Sequence, residues 1–272
     1  MHAVFENTIY LKRLDLPDKE SGTTAALCCI GHASLQPGPI NVRTSLQKIP
    51  TFAVGEHWYC RQQSLTIGKN KFDLAQAELW LPPFQQCSKP VYSNVELLAQ
   101  YFASRPLTDN SATNNDRDSR PSIDAMVEQR LSVATKNLQH WLECSSNKIK
   151  FPAELLGCGT GLTPAGDDVL VGVLVAMHTW RHPKRDELIA HVTNGISNTN
   201  DISGAHLLAA CAGSGIEPLH HLVGAISQAY LKRDVVAAAE TLRNYGYSSG
   251  YYALKGVLLA ARSFTQDYRN PI

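Results

Sequence analysis

Four glycines and two adjacent carboxylates fall within thirteen residues, Leu156-Gly157-Cys158-Gly159-Thr160-Gly161-Leu162-Thr163-Pro164-Ala165-Gly166-Asp167-Asp168. Glycines at alternate positions let the backbone reach φ > 0 and bring bare N–H groups against a ligand. Thr163 followed by Pro164 predicts an N-cap and first helical residue, so the loop feeds a helix carrying Asp167 and Asp168 in its first turns. Amide hydrogens at a helix start form an anion site, and phosphate or carboxylate is the natural guest. Two carboxylates at the same spot oppose that guest. Either a divalent cation such as Mg2+, held by Asp167 or Asp168, bridges them to the anion, or one carboxylate faces elsewhere and orders the loop. Helical neighbours point about 100° apart, which predicts one carboxylate in the pocket and the other on loop amides. Asp167 and Asp168 are the candidate catalytic residues, with Gly159, Thr160, Gly161, Thr163 and Gly166 as candidate anion ligands. The plainer alternative is a tight turn whose acids only complement a helix dipole.

Two later segments repeat the device. Asn198-Thr199-Asn200-Asp201-Ile202-Ser203-Gly204-Ala205-His206 offers Thr199, Asn200 and Ser203 either to a pocket or to ordinary helix capping. Asn244-Tyr245-Gly246-Tyr247-Ser248-Ser249-Gly250-Tyr251-Tyr252 offers Ser248, Ser249 and Gly250, or is an interhelical turn. Three polar loops, each ahead of a helix, can converge at one end of a bundle. His206 reads as a packing histidine. Cys158 reads as a small apolar filler, although a helix N-terminus beside it would lower a thiol pKa. His220-His221 and Cys28-Cys29 receive no role, because adjacent side chains diverge and seldom share a metal. The loop lacks the Gly-Lys-Ser/Thr ending of a P-loop and has no βαβ context, so neither an ATPase nor a dehydrogenase is indicated.

The elements that must position these residues fall in two parts. Up to about residue 83 the pattern is strands and turns: 23–30, 40–43 and 51–54, and a hairpin over 65–74 turning at 68–70. A β-rich N-terminal domain over 1–104, barrel or sandwich, is expected. A polar stretch over 105–121 with little to bury reads as a flexible linker or loop. From 122 to 272 the period turns helical: Val127, Leu131, Ala134, Leu138 and Trp141 or Leu142 share a face behind a capping Ser122. Residues 169–180 are apolar nearly all round and predict a buried central helix. Segments 186–194, 206–212, 218–233, 235–244 and 252–264 complete a helical bundle, giving an α+β fold.

The 272 residues carry 25 basic and 24 acidic side chains, so no global field draws in nucleic acid or an anionic membrane. A small anionic substrate and protein partners are the better expectation. Nothing resembles a secretory signal, and no apolar run is long enough to span a bilayer, so a soluble cytoplasmic protein is expected. Seven cysteines without a C-x-x-C pair argue against a zinc site or a disulfide framework, and most should be reduced and buried.

The run from Gly157 through Gly161-Leu162-Thr163-Pro164 and Gly166-Asp167-Asp168 to Leu170 and Gly172 resembles the G-x-G-x-G-L-T-P-x-G-D-D-x-L-x-G signature of the bacterial AllH-like family, long a domain of unknown function. Pro37-Gly38-Pro39, residues 65–82, Ile202-Ser203 and Ser249-Gly250 are similar to further parts of that family. The resemblance implies a subunit of oxamate carbamoyltransferase in anaerobic allantoin breakdown. There oxalurate and phosphate give oxamate and carbamoyl phosphate, with three different subunits required. It therefore implies a component with partner subunits, and it carries over no catalytic residue. The alternatives are a non-catalytic assembly or regulatory subunit and a free-standing Mg2+-dependent phosphotransferase.

Overall fold

Alternation of apolar and polar residues makes the N-terminal strands, and their apolar faces meet in one core. In the computed structural model, residues 1–13, 27–46, 48–83, 87–107, 123–144, 149–228 and 232–269 are described. The chain divides into two compact units, Met1–Pro82 and Pro83–Ile272.

In the first unit, β1 (Ala3–Val4), β2 (Thr8–Lys12), β3 (Leu27–His32) and β4 (Asn41–Thr44) form a sheet in that order, antiparallel except for the parallel pair β3 and β4. A second, antiparallel sheet holds β5 (Trp58–Arg61), β6 (Ser64–Ile67) and β7 (Asn70–Asp73). Ile9 and Leu11 of β2, Ile30 of β3 and Leu65 and Ile67 of β6 point inward and pack with Ile49 and Phe52. The hairpin turn is Gly68-Lys69, where Ile67 pairs with Asn70 and Gly68 has φ +54°, the left-handed first position that a primed two-residue turn requires. Residues 51–54, expected as a strand, form none: Phe52 is buried from an irregular segment, and burying its ring needs no ladder partner. The expected strand over 23–30 is seen from Leu27, its earlier part lying outside the described residues.

The second unit is helical: α1 (Tyr92–Ser104), α2 (Ile123–Glu143), α3 (Ala165–Thr179), α4 (Arg185–Asn194), α5 (Asp201–Cys211), α6 (Glu217–Ser227), α7 (Lys232–Arg243) and α8 (Ser249–Arg269). The α+β layout is as expected, but the units divide at Pro82, earlier than the composition suggests. The reason is α1, which buries Val95, Leu98 and Tyr101 in the helical core, while Asn94 Nδ2 donates to the Gln228 carbonyl at 2.8 Å. Residues 108–122, including most of the expected linker and Ser122, lie outside the described residues. The segment 218–233, read as one helix, is split between α6 and α7.

Helix α3 is the centre of this core: all of it is buried except Ala165, Val171 and His178. Each large apolar side chain so enclosed contributes about 1.5–3 kcal/mol. It meets α8 backbone to backbone. A Cβ at Gly172 would lie 2.0 Å from the Ala253 carbonyl oxygen, and one at Gly256 would lie 2.1 Å from that of Val169. Only glycine allows this approach, which sets the start of α8 beside the start of α3. No helix among the described residues is long and apolar enough to cross a membrane. Gly256→Val should therefore cost about 3 kcal/mol or more in urea denaturation; a variant as stable as the wild type would show that the crossing is looser than described.

Candidate functional site

The loop enters α3 from a short 3-10 turn, Ala153–Leu155. Gly157, Gly159 and Gly161 have φ of +72°, +126° and +90°. A Cβ at Gly157 would meet the Asn198 carbonyl oxygen at 2.2 Å and one at Gly159 the Ala165 nitrogen at 2.5 Å, whereas at Gly161 nothing lies within 4 Å. Gly161 is thus an open tip between exposed Thr160 and Leu162, and only its left-handed backbone demands glycine.

The amides divide into two sets. Cys158 donates to the Leu155 carbonyl at 3.0 Å, Gly166 to that of Cys158 at 2.8 Å, and Asp167 and Asp168 both donate to that of Pro164. The amides of residues 159–163 donate to no group among the described residues. Gly166, a candidate anion ligand, therefore has no amide to offer: it is a packing glycine, since a Cβ there would lie 2.1 Å from the Leu155 carbonyl oxygen. The N-cap is Pro164, without a side-chain cap bond, and α3 starts one residue later than the sequence predicts. Thr163 does not cap because its hydroxyl pairs with Ser249 Oγ at 2.7 Å.

The two carboxylates diverge. Asp167 is fully buried. Its Oδ1 accepts from the Gly157 amide at 2.8 Å, and its Oδ2 accepts from Ser203 Oγ at 2.7 Å and from the Thr199 hydroxyl. Three donors satisfy one buried carboxylate and fasten the loop to the start of α5. Asn200 caps α5, its Oδ1 accepting from the amides of Ile202 and Ser203 at 3.0 Å each. The second polar segment thus spends its side chains on capping and on Asp167.

Asp168 is 8% exposed. Its Oδ2 has no hydrogen-bond partner. The hydroxyls of Ser249 and Thr163 sit beside the carboxyl and favour its charged form, but burial outweighs them and pushes its pKa up to about 8. Tyr252, one turn into α8, donates its hydroxyl to Glu128 of α2, and burial raises its own pKa. Gly250 is a packing glycine: a Cβ would lie 1.8 Å from the Leu242 carbonyl oxygen, and its amide donates to the Tyr245 carbonyl. Ser248 contributes its carbonyl to the Tyr252 amide at 3.1 Å.

All three polar segments meet at the start of α3, the second through Asp167 and the third through Ser249. Sequence reasoning passed over Tyr252 and Glu128. Tyr252 ends the polar run it had marked, whereas Glu128 lies far away in sequence and carries no local signal. His206 is half-buried, and burial lowers its pKa to about 4, so it is neutral. Cys158 is half-buried in the apolar core, and burial raises its thiol pKa despite the nearby helix start. All seven cysteines are free; only Cys29 is fully buried and Cys60 is exposed, so fewer are enclosed than expected. The donor set does not form a cation cage. Among the described residues no three His, Cys, Asp or Glu side chains converge, and both oxygens of Asp167 already accept from protein donors.

Residues 155–261, from the turn before the loop into α8, match the family model of oxamate carbamoyltransferase subunit AllH. Over this segment the chain is similar to the AllH family. The AllH match lies wholly within the helical unit and includes the loop, both aspartates and the hydroxyl pair Thr163 and Ser249. No solved structure matches the chain.

Asp167→Ala would strand one amide and two hydroxyls without an acceptor, and should cost about 2–4 kcal/mol in urea denaturation. Asp168 has the opposite logic. Folded, it keeps its proton to about pH 8, whereas its ordinary pKa is 3.8. Between those values the native state holds more protons than the unfolded chain, so this contribution is full below the lower value and is lost as pH rises through the upper one. Asp168→Asn should therefore gain stability relative to the wild type as pH rises across this window; a constant difference would refute the raised carboxyl.

Proposed function

We propose that this chain is one subunit of a cytoplasmic oxamate carbamoyltransferase-type complex of allantoin degradation, and that it contributes the pocket for a small anion, phosphate or the carbamoyl phosphate formed from it. The family match supports the subunit. The carrying observation for the pocket is the row of undonated amides at residues 159–163, at the positive end of a buried helix.

In this reading Gly159, Thr160, Gly161 and Thr163 offer backbone donors, and Thr163 and Ser249 add hydroxyls. Asp167 holds the loop in shape without touching the anion. Asp168, neutral at pH 7, adds no repelling charge, which removes the conflict between the carboxylates and an anionic guest. Preorganised amides suit a transfer of a carbamoyl group between oxamate nitrogen and phosphate oxygen, because negative charge develops on small oxygens that water would otherwise solvate. The other subunits complete the enzyme.

Removing one preorganised donor of this kind costs about 10²–10³ in rate. Gly161→Val forces a branched side chain into left-handed backbone at the open tip. It should lower turnover of the reconstituted complex by about two orders of magnitude while circular dichroism stays native; undiminished turnover would remove the loop from the reaction. Calorimetry of the chain with phosphate, carbamoyl phosphate and oxamate, with and without magnesium, should show binding of at least one. Binding of none would leave an assembly or regulatory role.

A further inference from the structure

Asp168 combines near-complete burial with an unpartnered oxygen, at the point where the loop, α3 and α8 bring their polar groups together. A carboxyl in that position needs a reason. Beside it, Thr163 Oγ1 and Ser249 Oγ are 2.7 Å apart. Each hydroxyl owns one proton, so a pair joined by one hydrogen bond has a single proton left to give, in one direction only. When Asp168 is ionised, that proton turns inward to the carboxylate and the pair shows lone pairs to the loop. When Asp168 carries its own proton, it donates into the pair, and the remaining hydroxyl proton points outward. An oxyanion on the amides of residues 159–163 needs the second arrangement.

We propose that Asp168, Ser249 and Thr163 form one proton-coupled chain that admits a small oxyanion to the loop together with one proton, held on Asp168. This rests on the reading of the loop as an anion pocket. Asp168 acts through the two hydroxyls and is a positioning residue. The groups facing it agree. Its own helix contributes the negative Asp167; α8 contributes Ser249 and Tyr252, with Glu128 of α2 behind the tyrosine; the loop contributes Thr163. Among the described residues none of the groups acting on the carboxyl is a cation. Below about pH 8 the chain faces outward as a donor, and above it the anion must bring a proton or be refused.

Sulfate is the probe, because it does not titrate in the relevant range. Calorimetry of the full chain from about pH 6.5 to about pH 9.5, in two buffers of different ionisation enthalpy, counts protons taken up per anion. Sulfate affinity should be level at the acid end and fall about tenfold per pH unit above the carboxyl's range, with uptake approaching about one proton there. Asp168→Asn, whose amide N–H donates as the neutral acid does, should keep sulfate affinity at alkaline pH and take up no proton. Thr163→Val should weaken binding about tenfold near neutrality, and Thr163→Ser should restore it. Wild-type sulfate binding that is level across the whole range, without proton uptake, overturns the chain and leaves the anion pocket standing. Failure of both sulfate and phosphate to bind at any pH overturns the two together. Should the asparagine variant not fold, the wild-type proton count and the Thr163 pair decide the matter.

Discussion

The buried carboxylate of Asp167 is the interaction on which the site depends. A carboxyl enclosed by protein is tolerable only when its oxygens are filled, and here an amide of the loop and two hydroxyls at the start of α5 fill them. The consequence is geometric. Gly157 is pinned at one end of the loop and Gly166 at the other by the Cys158 carbonyl, so residues between them bow outward. The free amides follow from the bound ones.

The second constraint is the close crossing of α3 and α8. Glycines at 172 and 256 let the two backbones touch, which fixes where the first residue of α8 stands. Ser249 then falls within hydrogen-bond distance of Thr163, and the same contact encloses Asp168. Two aspartates adjacent in sequence thereby meet opposite environments. One has three donors; the other has an unpartnered oxygen and a raised pKa. In the proposed reading, a pocket for a negative guest gains from this division, since Asp167 is turned to protein donors and burial keeps Asp168 neutral at pH 7.

The contacts that were legible in the sequence are those set by neighbours along the chain. The Gly68-Lys69 turn, the buried α3 and the divergence of Asp167 from Asp168 all follow from local rules: turn chemistry, apolar periodicity and the helical period. The loop's open character was legible for the same reason, because alternating glycines have few other uses. Thr199, Asn200 and Ser203 were marked as polar residues at a helix start, and that remained ambiguous between ligand and cap because both uses favour the same short side chains.

By itself the sequence determined the α+β division, the glycine loop ahead of an apolar helix and the set of short polar residues able to surround it. Tertiary structure alone decided which donors each aspartate meets, that Thr163 bonds Ser249 rather than capping α3, that Gly166 and Gly250 are packing glycines, that α1 joins the helical unit, and that Tyr252 and Glu128 stand near the site. The physical reason is range. Backbone preference and periodicity act over a few residues and are written locally, whereas burial, and with it the protonation of Asp168, is set by groups more than eighty residues away that arrive only when the helices pack.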